Sequence, residues 1–312
     1  MQMRREGQAA IEFRRAEQLM LAQTERDIEA VQRGELAVVL RDGRALLTGP
    51  VVAPTSEGNA TPRIGREIEE VAIRNLTAEA MRKEVALAKA VLHAEEELRA
   101  DASEPSDATI SDDWLLRWRD SAAGVSSEEL QMLWGKVLAG EVKSPGKYSL
   151  RTLDFIRILS QDDAKLIEKI APLVTDGIIF RGNPAALEQT GVTFGELLEL
   201  QDIGILKGVD VGLTITRKSI VSGSFATAFQ CHGSLLFAKA ADAGKTIIVP
   251  VSGLTDVGKQ VMTLGTAQPN MPFLLALGEW LKHQGCDVEI GRYQRVSETQ
   301  FVPVDMKPLK TD

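Results

Sequence analysis

The feature that most constrains this fold is a long stretch without helix breakers in the first third of the sequence. From about residue 64 to residue 98 there is no proline and, after Gly65, no glycine. Two sets of apolar residues recur there at helical spacing: Met81, Val85, Ala88 and Leu92 form one set, and Leu76, Ala80, Leu87 and Val91 form the other. Because one facing surface covers only one stripe of a helix, two stripes predict a helix contacted on more than one side.

The helix over residues 64–98 is therefore a candidate oligomerisation element. An apolar stripe of that length left open to solvent would favour aggregation. The strict heptad of a coiled coil is broken, since Lys83 and Glu97 fall where the seam needs apolar residues. We expect a homo-oligomer that forms through this helix by bundle or side-by-side packing. Packing against helices of the same chain is the alternative.

Residues 1–100 as a whole predict a helical region with one β-hairpin near residues 36–48. An earlier helix is predicted to end at Gly34, and its spaced apolar residues are Phe13, Ala16, Met20, Ile28 and Val31. Two short apolar runs then flank Asp42-Gly43, a dipeptide that is favoured in tight hairpin turns. Residues 50–62, rich in Pro, Thr, Ser and Gly, predict an exposed loop.

The middle of the sequence predicts a compact set of short helices. Residues 101–110 are acidic and predict a linker, and residues 111–175 form the predicted helical module. Ser126 with Glu129 has the spacing of a capping box, and Gly140 is a candidate helix end. The apolar positions between them follow the helical template without a gap: Leu130, Leu133, Trp134, Val137 and Leu138. Ser160 and Asp163 similarly predict the start of a further helix.

The last part, residues 176–312, predicts a small α+β region. A helix that ends at Gly204, a strand over 246–251 and a helix that begins at Thr255 resemble the recognition-helix-to-wing layout of winged-helix domains. A helix stopped at Gly285 and two antiparallel strands are predicted to follow it. The whole chain is thus predicted to be mainly α, with a long-helical amino-terminal region, a compact helical module and a small, winged-helix-like α+β part.

One block in the middle of the chain resembles a known family. Residues 126–153 read Ser-Ser-Glu-Glu-Leu-Gln-Met-Leu-Trp-Gly-Lys-Val-Leu-Ala-Gly-Glu-Val-Lys-Ser-Pro-Gly-Lys-Tyr-Ser-Leu-Arg-Thr-Leu. This block resembles the signature of an uncharacterised family of bacterial, prophage and phage proteins, the Domain of Unknown Function 2806 family. A shorter version of the same helix pair is similar to abortive-infection proteins. The resemblance implies a bacterial or phage origin and a role in phage–host conflict, and it implies no particular reaction.

The residue types that support catalysis or metal binding are sparse. The chain has three histidines and two cysteines, and neither the spaced cysteine pairs of zinc sites nor the glycine-rich loops of nucleotide sites occur. Cys231-His232 is an adjacent pair, which we interpret as a buried thiol beside a histidine, with a nucleophilic pair as the alternative. Arg151 is interpreted as a brace for the preceding turn, with contact to a phosphate or an acidic partner as the alternative. We therefore predict no catalytic, cofactor-binding or metal-binding residues and no cofactor.

Net charge and hydropathy reduce the number of function classes that fit this sequence. The 44 acidic residues outnumber the 36 Lys and Arg, giving a net charge of -8, and no apolar run is long enough to span a membrane. The leading hypothesis is a non-enzymatic, cytoplasmic interaction protein with a protein partner. The first alternative is a winged-helix DNA-binding regulator, and the second is a hydrolase with a dispersed active site. If the protein binds nucleic acid, the candidate contacts to phosphate are a small set of basic residues: Lys207, Arg217, Lys218, Lys245 and Lys259.

Overall fold

The chain divides into two compact parts. The computed structural model describes residues 2–41, 44–49, 63–100, 106–295 and 301–310. The backbone separates into Met1–Lys147, here called unit 1, and Tyr148–Asp312, here called unit 2. No helix of the described residues combines the length and the apolar character that a membrane crossing requires.

The described residues of unit 1 form four helices and one hairpin. The helices are α1 (Gln2–Arg33), α2 (Arg63–Ala100), α3 (Asp112–Ala123) and α4 (Glu128–Lys143), and the strands are β1 (Ala37–Arg41) and β2 (Arg44–Thr48). The strands pair antiparallel, with Ala37 opposite Thr48, which confirms the hairpin predicted near residues 36–48. The predicted turn at Asp42-Gly43, the predicted loop at 50–62 and the side chain of Phe13 lie outside the described residues.

Helix α2 is packed by other helices of unit 1 on two sides. On one side Ile28 and Val31 of α1 form a buried cluster with Ala78 and Val85 of α2, and Leu21, Leu36 and Met81 pack against this cluster. On another side α4 crosses α2 closely at Gly135, where a Cβ atom would lie 2.6 Å from the Cβ of His93. Contact on more than one side is therefore confirmed, and in unit 1 these contacts come from the same chain.

The start and the end of α4 differ from the prediction. Ser127, and not Ser126, is the N-cap, and its side chain accepts a hydrogen bond from the Leu130 amide. The helix continues through Gly140 and ends at Lys143, just before Ser144-Pro145, because a proline disfavours the helical conformation of the residue before it. The register is also shifted at the first turn, where Gln131 is buried and Leu130 is exposed.

Unit 2 alternates helices and strands. Its helices are α5 (Leu150–Ile158), α6 (Gln161–Ile170), α7 (Pro184–Gln189), α8 (Phe194–Asp202), α9 (Asp256–Met262) and α10 (Met271–His283). Its strands are β3 (Ile178–Phe180), β4 (Leu206–Lys207), β5 (Thr214–Arg217), β6 (Phe225–Cys231), β7 (Ser234–Ala240), β8 (Ile247–Leu254), β9 (Asp287–Arg295) and β10 (Phe301–Pro308). The predicted capping box at Ser160 and Asp163 is present at the start of α6, and Thr255 caps α9 as predicted.

The strands of unit 2 form antiparallel sheets that overturn the predicted fold class. One sheet has the order β10-β9-β7-β6, and β8 pairs with β3, β4 and β5. About 52% of the chain is helical and 21% is strand, so the fold is mixed α+β and not mainly α with a small α+β part. The hairpin β6–β7 gives the predicted winged-helix-like layout no support, because it joins β9, with Leu235 opposite Gly291, instead of pairing with β8. This pairing connects residues far apart in sequence, which local periodicity does not reveal.

Candidate functional site

The amino-terminal half of α2 carries large apolar side chains that no other described part of unit 1 covers. Ile68 and Ile73 are each 63% exposed, and Leu76 is 66% exposed. Ala72 lies between them and is also exposed. We call Ile68, Ala72, Ile73 and Leu76 the apolar face of α2. Isolated exposed apolar residues are common on proteins, but a contiguous group of them marks a candidate interaction surface.

The apolar face of α2 is on the same side of the helix as residues that are buried further along. Ile68, Ala72 and Leu76 each stand 18 residues before a buried alanine, at Ala86, Ala90 and Ala94 respectively. At about 3.6 residues per turn, this spacing is about five full turns, so the two sets point in the same direction.

Helix α4 covers the later set. A Cβ atom on Gly135 of α4 would lie 2.9 Å from the Ala90 carbonyl oxygen and 3.0 Å from the Ala94 amide nitrogen. The same side of α2 is therefore buried in its carboxyl-terminal half and exposed in its amino-terminal half. The predicted stripes began only at Leu76, so sequence reasoning missed Ile68 and Ala72, which the same helical spacing would have revealed.

The grooves beside α2 contain charged groups that pair within unit 1. Two cavities of about 440 and 550 Å³ lie along α1, α2 and the start of α4. Across them the Lys89 ammonium forms an ion pair with Glu25 of α1, and within α2 the His93 ring lies 3.5 Å from the Glu96 carboxylate. The Lys89–Glu25 pair joins α2 to α1, whereas His93 and Glu96 both belong to α2. The charges of Lys89 and Glu25 are therefore balanced without a ligand.

The structure does not bring Cys231 and His232 together as a nucleophilic pair. The Cys231 thiol is 2% exposed and lies 3.8 Å from the Pro172 carbonyl oxygen, and burial raises the pKa of this thiol. The His232 ring places Nε2 2.7 Å from the Ala171 carbonyl oxygen, and its backbone has a φ of 45° at the turn that follows β6. Each side chain therefore bonds to a backbone carbonyl, and the thiol stays protonated and shielded.

An ion pair that the sequence did not indicate lies next to this turn. The Asp176 carboxylate accepts a hydrogen bond from Arg217 Nη2 at 3.0 Å and another from the Gln230 amide at 3.1 Å. The Arg217 guanidinium carbon lies 4.8 Å from the centre of the Phe229 ring. Burial raises the pKa of Asp176, although both hydrogen bonds act in the opposite direction. The pair joins β5 to the turn before β3.

The basic set proposed for nucleic acid is largely engaged within unit 2. Arg217 pairs with Asp176, Lys259 lies 3.2 Å from the Asp256 carboxylate, and Lys245 donates to the Gln284 carbonyl oxygen at 2.6 Å. Cations that already have partners are less available to neutralise phosphates, so this set supports DNA binding poorly.

The interpretation of Arg151 as a brace for the turn after α4 stays a prediction. The turn after α4 is held by Glu141, whose Oε1 accepts a hydrogen bond from the Gly146 amide at 2.6 Å. Arg151 lies exposed in the first turn of α5. Over the ranges that the structure describes, no group of three or more His, Cys, Asp or Glu side chains has the geometry to hold a metal ion.

The comparisons with known proteins concern the middle of the chain. No curated protein and no solved structure matches it. Residues 72–177 match the family model described as "Protein of unknown function (DUF2806)". The match contains the whole of the block at residues 126–153, and it confirms the resemblance drawn from that block. Residues 72–177 of this chain are therefore similar to the DUF2806 family.

Proposed function

We propose that this protein is a non-enzymatic interaction protein that associates with a second copy of itself through the apolar face of α2. The observation that supports this most is the continuation of one helix side from Ala86, Ala90 and Ala94, which are buried, to Ile68 and Leu76, which are exposed. Covering these side chains removes apolar surface from water, and this is the main driving force for association.

A second copy is a suitable occupant because the apolar face of α2 is symmetric about Ala72. Ile68 and Leu76 lie four residues before and after Ala72. If two copies of α2 cross antiparallel at Ala72, each Ile68 faces the Leu76 of the other copy. The small alanine at the crossing allows the close approach of two helix axes, to about 8–10 Å. A twofold contact of this kind is the commonest arrangement among soluble oligomers.

The test is the mass of the whole protein by light scattering over a range of micromolar concentrations. We expect the wild-type mass to exceed the 34.0 kDa of one chain and to increase with concentration. In the Ile68→Glu and Leu76→Glu variants the contact would bury carboxylates, so we expect a mass of one chain. Leu87 and Val91 are unsuitable for this test because they are half-buried in unit 1, where a charge would also disturb folding.

The matched control is Val211→Glu, which adds the same charge at an apolar residue that is 75% exposed in unit 2. It should keep the wild-type mass. A wild-type protein that stays at one chain at every concentration, or a Val211→Glu variant that dissociates as fully as Ile68→Glu, would refute self-association through α2. The support for a setting in phage–host conflict is the family resemblance alone.

A further inference from the structure

Unit 2 contains a cavity that no part of the proposed self-association uses. Its volume is about 450 Å³, within the range of small-ligand sites. It lies where Arg181, directly after β3, meets α7, the turn after α7 and the start of α8. Its lining residues are Arg181, Pro184, Leu187, Glu188, Gly191, Val192, Thr193 and Phe194.

The guanidinium of Arg181 is held in a defined position at this cavity. Its Nη1 donates a hydrogen bond of 2.8 Å to the hydroxyl of Ser252, a residue of β8 that is completely buried. Its central carbon lies 5.5 Å from the centre of the Phe194 ring. A guanidinium has five N–H donors, and the bond to Ser252 uses one of them. The planar group is therefore oriented while most of its donors remain available.

Arg181 has no acidic partner among the residues that the structure describes. Burial lowers the pKa of Arg181, and no carboxylate counters that effect. The other half-buried arginine discussed above, Arg217, has the Asp176 carboxylate at 3.0 Å. A partly buried cation without a counter-charge carries a desolvation cost that an anionic ligand would offset.

The surroundings of Arg181 favour a singly charged anion with an apolar body. Leu187, Val192 and the ring of Phe194 supply apolar walls. Glu188 lines the same cavity. Glu196 is not a lining residue: it caps the start of α8 by accepting the Thr193 amide at 2.8 Å, and it pairs with Lys169 at 2.6 Å. The Glu188 carboxylate at the cavity repels a doubly charged phosphate more than a singly charged carboxylate. The start of α8 is already capped and is not needed for the site.

We propose that this cavity binds a small organic carboxylate, with the carboxylate on the guanidinium of Arg181 and the apolar body against Phe194 and Val192. A carboxylate and a guanidinium match geometrically, because two parallel N–H donors face two oxygens. The proposal concerns unit 2 and does not depend on self-association through α2.

Ligand-observed nuclear magnetic resonance on the full chain tests the site with defined probes. Phenylacetate and isovalerate are titrated, together with phenylacetamide as the uncharged analogue and inorganic phosphate as the anion without an apolar body. We expect saturable binding of the carboxylates at one site. Phenylacetamide should bind about tenfold more weakly or worse, because it lacks the charge-assisted hydrogen bonds.

Two variants separate a binding site from a structural role of Arg181. Arg181→Lys keeps the charge but removes the planar pair of donors, so phenylacetate affinity should fall about tenfold. Glu188→Gln removes a like charge from the cavity wall and should raise the affinity severalfold, an effect that damage to the fold does not produce. Glu199→Gln, an exposed residue of α8 away from the cavity, is the control and should change nothing.

Three results would overturn the proposal. The first is no binding of either carboxylate at about 10 mM, a concentration at which even a weak fragment site is occupied. The second is equal binding of phenylacetate and phenylacetamide, which would remove the role of the charge. The third is tighter binding of inorganic phosphate than of phenylacetate, which would assign the cavity to a different ligand class.

Discussion

The indole N–H of Trp118 donates a hydrogen bond of 2.9 Å to the backbone carbonyl oxygen of Trp134. Both residues are buried, and the bond ties α3 to α4 inside the segment that matches the DUF2806 family. The pair combines large apolar surfaces with a satisfied polar group. Trp134 is therefore a structural residue of unit 1.

Replacing Trp134 should destabilise the protein strongly. Trp134→Ala removes a large buried side chain and leaves a cavity, so we expect the free energy of unfolding to fall by about 3–5 kcal/mol. Urea denaturation followed by circular dichroism measures the change. Leu116→Ala, on the exposed side of α3, is the control and should lie within about 0.5 kcal/mol of the wild type. Equal stabilities of the two variants would show that Trp134 is not a core residue.

Gly135 should tolerate no side chain. A Cβ atom there would lie 2.6 Å from the Cβ of His93 and 2.9 Å from the Ala90 carbonyl oxygen, so α4 would have to move away from α2. We expect Gly135→Ala to cost about 1–3 kcal/mol of stability in spite of the better helix propensity of alanine.

The control for Gly135→Ala is Gly124→Ala. Gly124 has a φ of -85°, and the nearest atom to a Cβ there is 3.5 Å away. Thermal unfolding of the two variants compares them directly. A Gly135→Ala variant that melts at or above the temperature of Gly124→Ala would contradict the close crossing of α2 and α4.

Asp176 should make stability depend on pH in the acidic range. Because burial raises its pKa in the folded state, the folded protein takes up a proton at this carboxyl more readily than the unfolded chain does. Its contribution to stability is therefore fully present below the unfolded pKa and is lost as the pH rises through the folded pKa.

The comparison of wild type with Asp176→Asn isolates this contribution. The stability of the wild type relative to the variant should decrease as the pH is raised from about 3.5 to 7. Urea denaturation at closely spaced pH values measures the difference. A difference that instead grows in favour of the wild type with rising pH would show that the ion pair with Arg217 outweighs the burial of the carboxyl.

Both thiols should be unreactive in the native protein. Cys231 and Cys286 are buried, and burial raises the pKa of each thiol, so little thiolate is exposed at neutral pH. We expect a chromogenic disulfide reagent to modify neither residue rapidly in buffer and to modify both after addition of denaturant. Fast labelling of one thiol before unfolding would indicate a reactive cysteine.

The sequence predicts those parts of the fold that depend on residues close together in the chain, and it misses those that depend on distant residues. The capping box at Ser160 and the hairpin near residues 36–48 depend on residues close in sequence, and both predictions are confirmed. The pairing of β7 with β9 sets Leu235 opposite Gly291, and no local pattern specifies such a partner. The α+β character of unit 2 was underestimated for that reason.

The candidate sites show the same limit. The residues of the apolar face of α2 recur at helical spacing, so the sequence pattern can predict this face. The stripes predicted from the sequence included only Leu76 of it. Arg181 is notable only because Ser252 and Phe194, from separate parts of unit 2, orient it and because no described acid pairs with it. The residues around Arg181 come together only in the folded chain, so its neighbours in sequence do not reveal them.

Oxidative crosslinking at Ala72 tests the central claim of self-association most directly. In an antiparallel crossing at Ala72 the two copies of this residue face each other within the reach of a disulfide, and the native thiols are buried. We expect Ala72→Cys to form a disulfide-linked dimer rapidly under mild oxidation. Glu70→Cys, an exposed position on another side of α2, should crosslink far more slowly. Equal crosslinking of the two variants, or none at position 72, would contradict the account.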